Sequence, residues 1–155
     1  MSEIYFLGTT KPLAHTEYKF KDIIPDMDSD GMLHNDGIRF EENLWPDAVA
    51  TGVRKILKGC HIYAVQATLG LDYEVRYKQA YGPQTAADMI KILNWLKDFM
   101  TAQINKGSKV YLIKLWQGKE ILPKEVKKEE IQTNAWFIFG DGDIIFGYGT
   151  LYEFN

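Results

Sequence analysis

The densest concentration of chemistry-bearing side chains is Asp26-Met27-Asp28-Ser29-Asp30-Gly31-Met32-Leu33. Carboxylates at its first, third and fifth positions, a glycine at the sixth and an apolar residue at the eighth match the opening of a calcium loop. There, oxygen ligands crowd a hard cation at a tight turn. The pattern then departs. Gly37 stands at the twelfth position, where that loop has a bidentate Glu, and Asp36 lies one residue early. Pro25 precedes the segment, with no helical pattern leading into it. Two successive turns, Ser29-Asp30-Gly31 and Asn35-Asp36-Gly37, in a solvated acidic loop explain the same residues. The leading expectation is thus no cofactor, with Asp26, Asp28 and Asp30 as the candidate set if Ca²⁺ binds.

The same stretch has a second possible use. Eight of the chain's 21 acids, but only Arg39 among its 18 bases, fall between Asp22 and Asp47. An acidic segment on a mildly basic body would steer a basic protein partner and speed its association. Asp26, Asp28, Asp30 and Asp36 are its candidate contacts. A net charge of −3 over 155 residues excludes the broad basic footprint expected of a nucleic-acid or anionic-membrane binder.

Nucleophilic chemistry finds little support. There is no Gly-x-Ser-x-Gly elbow and no zinc-type His-Glu-x-x-His or Cys-x-x-Cys spacing. Cys60 and His61 are neighbours, but on a strand adjacent side chains face opposite ways, so they form no dyad. A packed structural role suits Cys60 better. His15 and His34 could reach Cys60 only through the fold. Gly140-Asp141-Gly142-Asp143 and Gly147-Tyr148-Gly149 lie in a strand-turn-strand pattern, whereas a phosphate cradle must open a helix. Asp141-Gly142 is a hairpin-turn signal.

That last hairpin bears on surfaces. Ile144, Phe146, Tyr148, Thr150, Tyr152 and Phe154 share one parity, and Gly147 and Gly149 leave space for close approach on the other. Packing under a helix explains the aromatic face. As a contact surface, Tyr148, Tyr152 and Trp136 would bring large area with few rotamers.

Two helices must carry the remaining pattern. One, at about 46–58, repeats Val49, Val53, Ile56 and Leu57 on a 3.6-residue period between Pro46 and Gly59. The other, at about 84–105, is opened by Pro83 and closed by Gly107. Its apolar positions cover more than half its circumference, leaving Asp88, Lys91, Asn94 and Asp98 as the polar remainder. Alternation predicts strands at 61–69 and 71–77, and the run 110–116 reads as a central strand. Stretches 3–7 and 18–24 are predicted as shorter strands, and 119–132 fits an exposed strand or a short helix.

The predicted fold class is α+β, a mostly antiparallel sheet with both helices packed on one face, in a single domain spanning 1–155. The strands flanking the long helix could form a crossover with a locally parallel pair. A single cysteine, no leader pattern, and no apolar run long enough for a spanning helix give the expectation of a cytoplasmic chain outside membranes.

The functional expectation is a non-catalytic domain that recognises another protein with a basic surface, as an inhibitor, neutraliser or adaptor, with no nucleic acid involved. The competing readings are a small-molecule enzyme with a site assembled from sequence-distant residues, and a calcium-dependent module. A last strand left at a sheet edge would also let two copies pair as a homodimer.

Overall fold

Alternating apolar residues build the centre of a seven-stranded sheet. The computed structural model describes residues 3–26, 36–42, 48–67, 71–74, 76–133 and 146–155. In chain order the elements are β1 (Glu3–Thr9), β2 (Glu17–Lys19), α1 (Phe20–Ile23), β3 (Gly37–Glu41), α2 (Ala48–Ile56), β4 (His61–Ala67), α3 (Tyr77–Tyr81), α4 (Pro83–Asn105), β5 (Val110–Trp116), β6 (Lys127–Ile131) and β7 (Thr150–Phe154). A 3-10 turn, Pro123–Glu125, leads into β6. The strand order is β2-β3-β4-β1-β5-β7-β6, antiparallel throughout except for the β6–β7 pair. This is an α+β fold with a mostly antiparallel sheet, as the sequence pattern predicts.

The two predicted helices are present, but on opposite faces. Tyr5 and Leu7 of β1, Tyr63 and Val65 of β4, and Val110 and Leu112 of β5 share one apolar core with Met89, Leu93, Leu96 and Met100 of α4. The opposite parity, Phe6, Ala64, Ile113 and Leu115, packs with Val53 and Leu57 beside α2. A central strand apolar at both parities needs a cover on each side, which is why one helix cannot serve both. Gly8 makes room for that second cover: a Cβ there would lie 2.9 Å from Leu57 Cδ1.

The helix ends follow their residues. Pro83 stands in the first turn of α4. Gly59 and Gly107, both with φ near +87° (86° and 88°), turn the chain out of α2 and α4 in the left-handed region glycine tolerates. At 1.5 Å per residue α4 is about 35 Å long. Phe99 stacks on Phe40 with ring centroids 5.0 Å apart, and Tyr18 and Trp95 close the same aromatic group. Asp88, expected on the polar face of this helix, is buried, with Lys91 Nζ 3.9 Å from it.

Other expectations need correction. The described part of 71–77 holds one bridge residue, Tyr73, and no longer strand, and Tyr77 already opens α3. Leu71 and Tyr73 are buried against the α4 core, and the chain then turns into α3, where Tyr77 packs edge-on to Tyr73 and Tyr81. The predicted strand at 18–24 divides into β2 and α1. Within the acidic segment, Ile38 and Phe40 are core residues of β3.

The stretch 119–132 supplies both the short helical turn and a strand, β6. The parallel pair is β6–β7, whereas β4 and β5, joined through the long helix, are separated by β1. The final strand β7 lies between β5 and β6 and so is not the open sheet edge that homodimer pairing through the last strand requires. The Asp141-Gly142 hairpin turn falls outside the described residues. Among those described, no helix is long and apolar enough to cross a membrane.

Candidate functional site

Lys114 is the one charged residue of β5, a strand apolar at almost every other position, and its side chain is 3% exposed. A buried ammonium is tolerated only with counter-charges and hydrogen bonds around it. Two separate parts of the chain supply them. Asp72, in the extended segment before α3, accepts a hydrogen bond from Lys114 Nζ through Oδ2. Its other oxygen accepts the Phe146 N–H at 2.9 Å. Glu3, opening β1, brings Oε1 to 3.7 Å from the ammonium.

Aromatic rings complete the enclosure. Lys114 Nζ lies 4.4 Å from the centroid of the Tyr148 ring and 5.8 Å from that of Tyr5. Trp116 stacks on Tyr148 with centroids 4.2 Å apart and planes 12° from parallel. Lys114 and Trp116 are two residues apart on one strand and so share a face, about 6.6 Å apart along the strand. That gap admits a single aromatic ring at van der Waals spacing, and Tyr148 occupies it. The Tyr148 hydroxyl donates to Glu3 Oε1, while Tyr5 donates to Glu3 Oε2 at 3.2 Å. Tyr148 is thereby clamped on both ring faces and at its tip, yet remains 39% exposed.

The electrostatics follow from these contacts. Burial pushes the Glu3 carboxyl up, but the Tyr148 hydrogen bond, the Lys114 charge and the Tyr5 hydrogen bond outweigh it, and the group ends below its ordinary 4.5. The Tyr5 phenol is raised well above 10.0 by burial, then by the charges of Asp72 and Glu3. Tyr148 is raised as well, by burial and by its hydrogen bond to Glu3. A lysine nucleophile is made by apolar surroundings or a neighbouring cation. Lys114 instead meets two carboxylates and two ring faces, all of which attract a cation. The cluster has the composition of a mounting for Tyr148 and Trp116 rather than of a reactive amine.

Beside the mounted rings is a recess of about 180 Å³, lined by Leu115, Trp116, Lys119, Glu120, Ile121, Glu125, Tyr148 and Gly149. Pockets that enclose drug-sized ligands run to roughly 300–1,000 Å³. This one has the capacity of a single side chain.

The residues expected to form a site are dispersed. Tyr148 belongs to the ledge just described. Tyr152 does not: it is 7% exposed, packs edge-on to Phe146 with ring centroids 5.3 Å apart, and its hydroxyl accepts the Gly147 N–H at 2.7 Å. β7 turns its parity inward, toward α4. Asp26 is engaged by the protein's own Lys91, which approaches its carboxylate to 3.6 Å and donates to its carbonyl at 2.8 Å. The Asp36 carbonyl accepts the Phe20 N–H at 2.9 Å. Asp28, Asp30, His34 and Trp136 lie outside the described residues, so the calcium-like loop is described only at Asp26. Among the described residues no group of three metal-ligating side chains gathers.

Cys60 is half-buried against the α2-side core, and burial raises its thiol. Lys114, Asp72, Glu3 and Trp116 were missed at the sequence level. The available signal was a lysine inside an apolar central strand, which obliges the fold to bring it an acid. No family model, no curated protein and no solved structure matches the chain.

Proposed function

We propose that this chain is a non-catalytic protein-recognition domain whose contact surface is the ledge formed by Tyr148 and Trp116, with the acidic residues between Asp22 and Asp47 steering a basic partner toward it. The observation carrying this reading is an exposed tyrosine already immobilised, between Lys114 and Trp116 and through its bond to Glu3, before any partner arrives. Association ordinarily loses about 0.5–1.5 kcal/mol for each rotamer-rich side chain it immobilises. A ring fixed in advance avoids most of that loss, which is the property of a binding hot spot. The side-chain-sized recess beside the ring supports the same reading, because it suits an inserted partner residue better than a substrate.

The test is capture of a partner from the source cell, followed by affinity measurement with the purified pair. Tyr148→Ala is expected to weaken binding at least about 30-fold, equivalent to about 2 kcal/mol. Tyr148→Phe, which keeps the ring, is expected to lose less than about fivefold. Tyr81, also exposed but on α3, serves as the control. A captured partner that binds Tyr148→Ala and Tyr81→Ala equally well would remove the ledge from the reading.

A further inference from the structure

Resting on the recognition reading above, we infer that the recess beside Trp116 receives one arginine side chain of the protein partner. Three observations converge on that occupant. The volume, about 180 Å³, is below the roughly 300–1,000 Å³ of pockets that enclose drug-sized ligands and suits one long side chain. One wall is aromatic, with Trp116 stacked on Tyr148. The lining also holds two carboxylates, Glu120 and Glu125, against one base, Lys119. Among the described residues no base pairs with either carboxylate, whereas every charge of the neighbouring Lys114 cluster is answered within the fold. Glu125 accepts only a long bond, 3.5 Å, from the Leu122 N–H.

An aromatic wall beside carboxylates selects a planar cation. Guanidinium stacks on an indole face while its N–H groups reach carboxylate oxygens in pairs, and indole is the strongest of the aromatic partners for a cation. A lysine ammonium is a compact, strongly hydrated charge that cannot stack. The recess walls are fixed from below: the Ile121 side chain is buried in the α2-side core, and the Gly149 N–H bonds to the Lys114 carbonyl at 3.0 Å.

The inference is tested with the whole chain labelled with ¹⁵N, following the indole N–H signals of its four tryptophans. Trp116→Phe assigns the relevant signal. The probes are acetyl-Gly-Arg-Gly-amide and the same tripeptide with lysine or with citrulline, the uncharged analogue of arginine. The expected result is a saturable shift confined to Trp116, at least about tenfold weaker with lysine or citrulline. A Glu120→Gln/Glu125→Gln variant is expected to weaken the arginine probe at least about tenfold, with its other tryptophan signals in place as the check on folding.

Equal binding of citrulline, equal binding of lysine, or an unaltered affinity in the double variant would each overturn the assignment. So would a Trp116 signal that does not move. These outcomes are separable from failure of the recognition reading, which is decided by Tyr148→Ala and the captured partner without any peptide.

Discussion

Lys114 shows how one residue can organise a surface it does not itself occupy. Its ammonium is answered by Asp72 and Glu3, and Glu3 in turn orients Tyr148 and Tyr5. Removing one member of a buried ion pair costs about 3–5 kcal/mol, because the other is left uncompensated. Asp72→Ala also removes the carboxylate oxygen that accepts the Phe146 N–H, and its loss is expected in that range by urea denaturation. Asp72→Asn, which retains the acceptor for Phe146, is expected to lose measurably less.

The same cluster sets two pH limits. Glu3 lies below its ordinary 4.5 in the fold, so its contribution is complete above pH 4.5 and is lost as the pH falls through the lower folded value. Tyr5 and Tyr148 lie above 10.0, so theirs is complete below pH 10.0 and is lost as the pH rises beyond it. Melting temperature measured against pH is therefore expected to fall on both sides, with Glu3→Gln flattening the acid limb and Tyr5→Phe the alkaline one. At this scale the sequence announces that Lys114 needs an acid but not which one. Asp72 and Glu3 come from positions 42 residues before it and at the far end of the chain, a choice made by topology.

At the level of elements, periodicity located α2, α4, β1, β4 and β5 closely, because each carries a long run of correctly spaced apolar residues. At 71–77 alternation reports the burial of Leu71 and Tyr73 correctly, but the pattern does not show that the chain enters α3 at Tyr77 instead of continuing as a strand. β3 escaped notice because Arg39, Glu41 and the surrounding acids masked Ile38 and Phe40. The placement of α2 on the face opposite α4 follows from β5 being apolar on both sides, and it makes a sharp prediction at Gly8. Gly8→Val drives methyl groups into Leu57 and is expected to destabilise by about 1–3 kcal/mol. Leu57→Ala should be destabilising alone but should relieve part of the Gly8→Val loss, giving a coupling energy above about 0.5 kcal/mol in a double-mutant cycle. Strictly additive losses would mean that the helix does not rest on that glycine.

For the molecule as a whole, the sheet brings the start of β1, the end of β5 and the approach to β7 to one end, and the Tyr148–Trp116 ledge is assembled there from parts more than a hundred residues apart. Tyr148 was readable as a surface candidate from its place near the last strand. Its neighbour Tyr152 shared that parity but went to the core, because the strand end and strand middle see different surroundings. The acidic segment is altered in meaning rather than removed: Asp26 is held by Lys91 and Glu41 lies 3.6 Å from Arg39, so part of its charge is answered internally. If the remainder steers a basic partner, association should slow as salt rises while dissociation changes little, measured by stopped-flow mixing. The most direct measurement of the central claim replaces Tyr148 with a photo-crosslinking phenylalanine in the living source cell, and Tyr81 likewise as the comparison. The ledge predicts a discrete protein adduct from position 148 and none from position 81. No adduct from 148, or the same adducts from both, would contradict it.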